Sequence, residues 1–170
     1  IKDSGVFTWK DACEFWQKDR EGTVYNDKDR QLFLDFMYSC EIMFKTQNKK
    51  GARQFIIPQL LPEEPYYWGN KSGEHLLKLT YPFLHRNIIE RFIVRTARLA
   101  EKDKTWWRNG IYIVDEEGNE AYIVANKPKD LDYRNQSITI KACGTSCMKL
   151  IAKIRNEFAE ISRFGKVEQE

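Results

Sequence analysis

The sequence predicts an α+β fold in two parts, and three observations carry that reading. Apolar residues fall at helical spacing in some segments and alternate with period two in others. The run Ile111-Tyr112-Ile113-Val114, the polar turn Asp115–Glu120 and the run Ala121-Tyr122-Ile123-Val124-Ala125 read together as a β-hairpin. Three closely spaced prolines, Pro58, Pro62 and Pro65, interrupt regular structure between the two parts, because proline removes a donor and restricts the residue before it. The boundary is placed in Leu61–Pro65, giving parts 1–65 and 66–170.

In the first part, Thr8 is positioned as an N-cap with Asp11 three residues on, close to a capping-box spacing. Trp9, Ala12, Cys13 and Trp16 then share one helical face. Asn26 or Asp27 caps a second helix running through Leu32, Phe33, Phe36, Met37 and Cys40. Ile42-Met43-Phe44 and Phe55-Ile56-Ile57 flank the polar loop 46–51 as a two-stranded wing. Helix, helix and wing in that order match the latter part of a winged-helix unit.

In the second part, His75–Phe83 reads as a strand, Leu77, Leu79 and Tyr81 alternating with Lys78 and Thr80. Asn87 is positioned to cap a helix with the stripe Ile88, Ile89, Phe92, Ile93, Thr96 and Leu99, while Glu90, Arg91, Arg95 and Arg98 face away. The hairpin follows, then a strand over Ser137–Ala142. Gly144 ends it, Thr145 or Ser146 caps, and a last helix runs from about Cys147 to Arg163 with the stripe Leu150, Ile151, Ile154, Phe158 and Ile161. The expected order is β-α-β-β-β-α, an antiparallel sheet with both helices on one face.

The apolar fraction of 42% and aromatic fraction of 14% place the chain among packed globular proteins, not disordered ones. No apolar run approaches the roughly 18 residues of a membrane span, and no secretory signal pattern is present. The absence of an initiator Met at Ile1 is what an excised piece of a longer protein would show. Four cysteines are too few for a disulfide scaffold, so a reduced, cytoplasmic setting is expected, with Cys13 and Cys40 as small core residues on apolar helical faces. Net charge is −1 over residues 1–65 and +4 over 66–170, short of the strongly basic balance of a dedicated nucleic-acid binder.

Several motifs resemble one family in order and spacing. Phe55-Ile56-Ile57-Pro58-Gln59-Leu60-Leu61-Pro62 resembles a segment of COR domains, the C-terminal-of-Roc modules of Roco proteins. Tyr81-Pro82-Phe83-Leu84, Arg91-Phe92-Ile93-Val94-Arg95 and Trp107-Arg108-Asn109-Gly110-Ile111 look like the markers that follow, and the Ile151–Ile161 helix matches as well. The resemblance implies that 1–65 is the end of a COR-A subdomain, lacking its start, and that 66–170 is COR-B. It departs at His85-Arg86-Asn87, where many relatives have a proline and glycine. It further implies a Ras-like Roc GTPase just upstream in the same chain, often with leucine-rich repeats before it. The role it implies is regulatory: homodimerisation through the second subdomain, coupled to the GTPase, with COR-A packing against Roc.

The residues add no chemistry to that. No phosphate-binding glycine loop and no kinase motif occurs, so GTP binding is not expected here. No catalytic, cofactor-binding or metal-binding residue is assigned, and no cofactor is expected. Cys143 and Cys147 flank a strand end and a helix start; as a metal or redox pair they lack companion ligands, because His75 and His85 are isolated. A buried thiol pair is the better reading, and a thiol-dependent enzyme the weakest. Asp115, Glu116, Glu117 and Glu120 lack the alternation of a calcium loop and read as a solvated hairpin tip. The alternative function is nucleic-acid binding by the winged helix through Lys45, Lys49, Lys50 and Arg53, against which stand Asp27, Asp29 and Asp35 on the would-be reading helix. Tyr66, Tyr67, Trp68, Trp106, Trp107 and Arg108 are the candidates for a partner surface, since Trp, Tyr and Arg dominate binding hot spots. For any single one of the aromatics, covering the second unit's own core is the better reading, but not all five are expected to be fully buried.

Overall fold

The computed structural model describes residues 5–17, 26–40, 42–47, 53–63, 67–127, 135–159 and 168–169. The chain divides into two units, Ile1–Pro62 and Glu63–Glu170.

The first unit contains β1 (Val6–Thr8), α1 (Trp9–Gln17), α2 (Asp27–Ser39), β2 (Phe44–Gln47) and β3 (Arg53–Ile56). The strands form an antiparallel sheet in the order β1-β3-β2. Both helix starts follow their caps. The Thr8 hydroxyl accepts from Asp11 N at 3.2 Å while the Asp11 carboxylate accepts from Thr8 N at 2.8 Å. Asn26 and Asp29 repeat this reciprocal pairing at α2. β1 was not legible in the sequence: three residues are too few for a period to show. It converts the expected two-stranded wing into three strands, and Phe7 on β1 stacks on Phe55 on β3 with centroids 5.5 Å apart.

The unit's core is Phe7, Ala12, Leu34, Met43, Phe55 and Ile57, with Trp9 and Met37 packed against it. This corrects the face of α2. Leu34 is its buried residue, whereas Leu32, Phe33 and Phe36 are exposed at 70%, 48% and 61%. Cys40 is exposed too, not a core residue, and Cys13 is half-buried. Apolar side chains cover much of the circumference of α2, so spacing alone did not decide which side meets the sheet. Past β3, Pro58–Leu60 make one 3₁₀ turn. The Trp16 side chain, loop residues 48–52 and Pro65 lie outside the described residues.

The second unit contains β4 (His75–Pro82), α3 (Arg86–Thr96), β5 (Asp103–Trp107), β6 (Gly110–Val114), β7 (Glu120–Ala125), β8 (Asn135–Cys143), α4 (Cys147–Glu157) and β9 (Glu168–Gln169). All pair antiparallel in the order β5-β6-β7-β8-β4-β9. β5 is an addition to the expected β-α-β-β-β-α order: its first half, Asp103-Lys104-Thr105, carries no apolar alternation and is recruited by pairing with β6.

Both helices pack on one face of the sheet. Ile111, Ile113, Ile123, Ile138, Ile140, Leu77, Leu79 and Tyr81 point inward to meet Ile89, Phe92 and Ile93 of α3 and Leu150, Ile151, Ile154 and Phe158 of α4. Period-two alternation sends the intervening residues to the other face. Trp106 and Trp107, neighbours in sequence, are therefore split: Trp106 packs against the inner cluster and Trp107 against the outer one.

Two helix boundaries differ from expectation. α3 begins two residues earlier, with His85 instead of Asn87 as its cap, Nδ1 accepting from Asn87 N at 3.3 Å. Arg86 fixes that start by donating to Asn126 O (2.8 Å), Asn109 Oδ1 (3.0 Å) and Ala125 O (3.2 Å), tying α3 to the ends of β5 and β7. Phe83, in the turn before it, adopts φ +58° and is 83% exposed. α4 stops at Glu157 with Phe158 as its C-cap; the expected continuation through Ile161 to Arg163 lies outside the described residues. Near that end, buried Glu157 accepts from Arg98 Nε at 2.7 Å, and Arg95 Nε lies 3.7 Å from it, joining α3 and α4.

Candidate functional site

The outer face of the second sheet carries a cluster of polar and aromatic side chains. Tyr112 and Tyr122 are directly opposed on β6 and β7, with Val114 and Val124 beside them. Trp107 stacks on Tyr122 at 5.0 Å between centroids. Trp68, from the segment before β4, lies across both tyrosines at 6.5 and 6.0 Å. Gly69 and Gly73 in that segment take φ +71°, which lets the strap lie flat on the sheet.

The polar half of the group is centred on Glu120. Its carboxylate is 2.7 Å from Lys71 Nζ, accepts from Tyr112 Oη at 2.6 Å and from Cys143 Sγ at 3.3 Å. The Lys71 ammonium also sits 4.3 Å above the Trp68 ring. The Trp68 indole N–H donates to Glu74, whose other oxygen faces Lys141 at 3.9 Å. The hydrogen bond from Lys71, then that from Tyr112, holds the Glu120 carboxyl below its usual range. Burial, reinforced by Glu120 beside it, pushes the Cys143 thiol up to about 11.

These shifts decide what the group can do. A nucleophilic cysteine needs a lowered thiol value, and Cys143 has the reverse. A general base needs a carboxylate free to take a proton, and Glu120 is engaged by three donors. The arrangement is a packed latch holding the strap on the sheet. Among the described residues, no group of three or more His, Cys, Asp or Glu could hold a metal ion.

The sequence-derived candidates are dispersed. Cys143 and Cys147 are both free and buried, on opposite faces of the sheet. His75 is exposed on β4, and His85 caps α3. The acidic turn divides: Glu116 and Glu117 are exposed, Glu120 belongs to the latch, and Asp115 is buried, which corrects the solvated-tip reading for it. Asp115 is buried because Asn119 donates to it twice, from N at 2.8 Å and from Nδ2 at 2.9 Å. Asn119 Oδ1 in turn accepts from Ser146 N at 2.9 Å, at the start of α4. In the first unit, Lys45 is engaged by Asp35 at 3.2 Å and lies over Tyr38; Arg53 is exposed, and Lys49 and Lys50 lie outside the described residues.

Of the six partner-surface candidates, Tyr67 is 89% exposed, and Arg108 is exposed and ion-paired with Glu63 at 2.7 Å. Trp68 and Trp107 are 7% and 4% exposed, inside the outer cluster, and Trp106 is half-buried. Tyr66 lies outside the described residues. Lys71, Glu74, Tyr112 and Tyr122 were not singled out in the sequence. For the tyrosines a signal existed: they occupy the positions between inward isoleucines on both hairpin strands.

A family model described as the C-terminal of Roc, COR-B domain matches residues 73–169. Among curated proteins, a Roc-COR-CHAT protease from an unknown prokaryotic organism is 25% identical over 162 residues. That match covers 83% of this chain and 15% of the relative, so the chain spans a small part of that protein's length.

Proposed function

Since the chain belongs to the C-terminal-of-Roc, COR-B family, we propose that it is a non-catalytic regulatory module that couples dimerisation to an attached Roc GTPase. The observation that carries this reading is the family match across the second unit, whose Glu120-centred cluster is a structural latch without a free nucleophile or base. In this reading the first unit is the end of COR-A. Its exposed α2 residues Leu32, Phe33 and Phe36 supply apolar area suited to a neighbouring domain such as Roc, and a relative called a Roc-COR-CHAT protease, which joins Roc and COR in its name, supports that context. The parent protein would then be a GTPase through its Roc part, working in the cytoplasm. No helix among the described residues is long and apolar enough to cross a membrane.

Homodimerisation would use the second unit, with Tyr67 and Arg108 as the exposed anchors. The test uses the parent protein and light scattering across a concentration series. A dimer is expected, and the pair Tyr67→Ser and Arg108→Glu should weaken it by about 30-fold in Kd, the equivalent of one hot-spot residue. The same pair should change the GTP hydrolysis rate if assembly and GTPase are coupled. A parent that is monomeric at every concentration, with and without nucleotide, would sink the dimer reading.

A further inference from the structure

β9 pairs with β4 through only two residue pairs, Leu79 with Gln169 and Thr80 with Glu168. On the side of β4 opposite β8, no strand among the described residues lies against His75–Leu77. An open strand edge is a template for another strand, and proteins ordinarily cover, charge or shorten such edges. Beside this one runs a cleft of about 510 Å³ between β4 and α4, lined by Leu76, Leu77, Met148, Ile151, Ala152 and Arg155, among others. Leu76 and Met148 on its rim are both more than half exposed. The cleft is part apolar, with His75, Arg155 and Asn156 also in its lining. A free backbone edge beside such a cleft has the geometry of strand addition, in which pairing supplies affinity and alternate side chains enter the cleft.

The register of β9 identifies what fits there. β9 is antiparallel to β4, so its direction carries the following residues from Thr80 toward His75. Continuing the two observed pairs puts the first, second and third residues after Glu170 opposite Leu77, Leu76 and His75. Leu77, Leu79 and Tyr81 face the helices, so the first and third of those residues would point into the cleft beside α4. An occupant from the same chain also meets the edge without the translational cost of a separate partner.

We propose that the stretch of the parent protein following Glu170 extends β9 along β4 and fills the β4–α4 cleft, making β9 the start of a longer strand. The inference is independent of the dimer reading, because it needs one chain only.

Hydrogen exchange on the parent protein tests it. Protection of the His75–Leu77 amides is expected, and replacing the four residues after Glu170 by proline, which cannot continue a ladder, should speed exchange there at least tenfold. Exchange in β5, at the opposite edge of the sheet, should stay constant and reports that the unit is still folded. A second variant, Met148→Asp, places a charge at the exposed rim of the cleft and should give the same local acceleration. A reading frame that stops at Glu170 overturns the proposal. So does exchange at His75–Leu77 that ignores the proline replacement, or protection that disappears on dilution, which would assign the edge to another copy.

Discussion

Replacing Glu120 by alanine removes the common acceptor of Lys71, Tyr112 and Cys143. A hydrogen bond to a charged group is worth roughly 1.5–3 kcal/mol. The Glu120 side chain keeps 30% of its surface in water and Lys71 keeps 23%, so screening places the loss in the lower part of that range, about 2 kcal/mol. Lys71→Met keeps the aliphatic stem against Trp68 and should cost about 1 kcal/mol, and the double variant should be less destabilised than the sum by about 1 kcal/mol, since the two share one contact. Chemical denaturation followed by tryptophan fluorescence measures all three. The pH dependence is a second check. Glu120 has a folded value below its ordinary 4.5, so its contribution is full above the ordinary carboxylate range and is lost as pH falls through the lowered value. The gap between wild type and Glu120→Ala should therefore close on acidification. A gap below about 0.5 kcal/mol at neutral pH, within the usual range for an ordinary surface change, or a gap that acid leaves untouched, would refute the latch.

The Arg98–Glu157 pair should respond asymmetrically. Arg98→Ala strips a partner from a buried carboxylate and should cost about 2 kcal/mol, whereas Glu157→Met returns two half-exposed arginines to water and should cost less than half of that; equal losses in a thermal melt would contradict the assignment. Thiol titration of the native protein should modify Cys40 first and leave Cys143 and Cys147 unreacted until the unit unfolds; rapid labelling of Cys143 at neutral pH would be incompatible with a thiol pushed up to about 11.

The parts of the fold that were legible in the sequence are those with a long local signal. The Thr8–Asp11 pair marks a helix start by residue type alone, the second start is narrowed to Asn26 or Asp27, and the hairpin and β8 declare themselves through alternation over five or more residues. What was hidden depends on distant partners. β1 and β5 are strands because β3 and β6 lie beside them. His85 starts α3 because Arg86 reaches the ends of β5 and β7, 23 and 40 residues away. The latch was legible only by halves: the hairpin places two tyrosines and Glu120 on one strand pair, but nothing local says that Lys71 and Trp68 fold back onto them.

Asn119 has a consequence for how the second unit acquires its structure. Ser146 makes no side-chain cap to α4; the acceptor at that helix start is Asn119, 27 residues upstream in the hairpin turn. The approach is so close that a Cβ on Gly144 would lie 2.4 Å from Asn119 Oδ1. The N–H of the cap residue thus lacks this acceptor until the β6–β7 turn has closed and β8 has docked beside β7. Helix nucleation is the costly step, so α4 should form late and cooperatively with the hairpin instead of appearing early as an autonomous helix. Hairpin turn, β8 end and helix start should therefore open and close together as one foldon, and a change at Asn119 should reach the far end of α4 through the order of assembly.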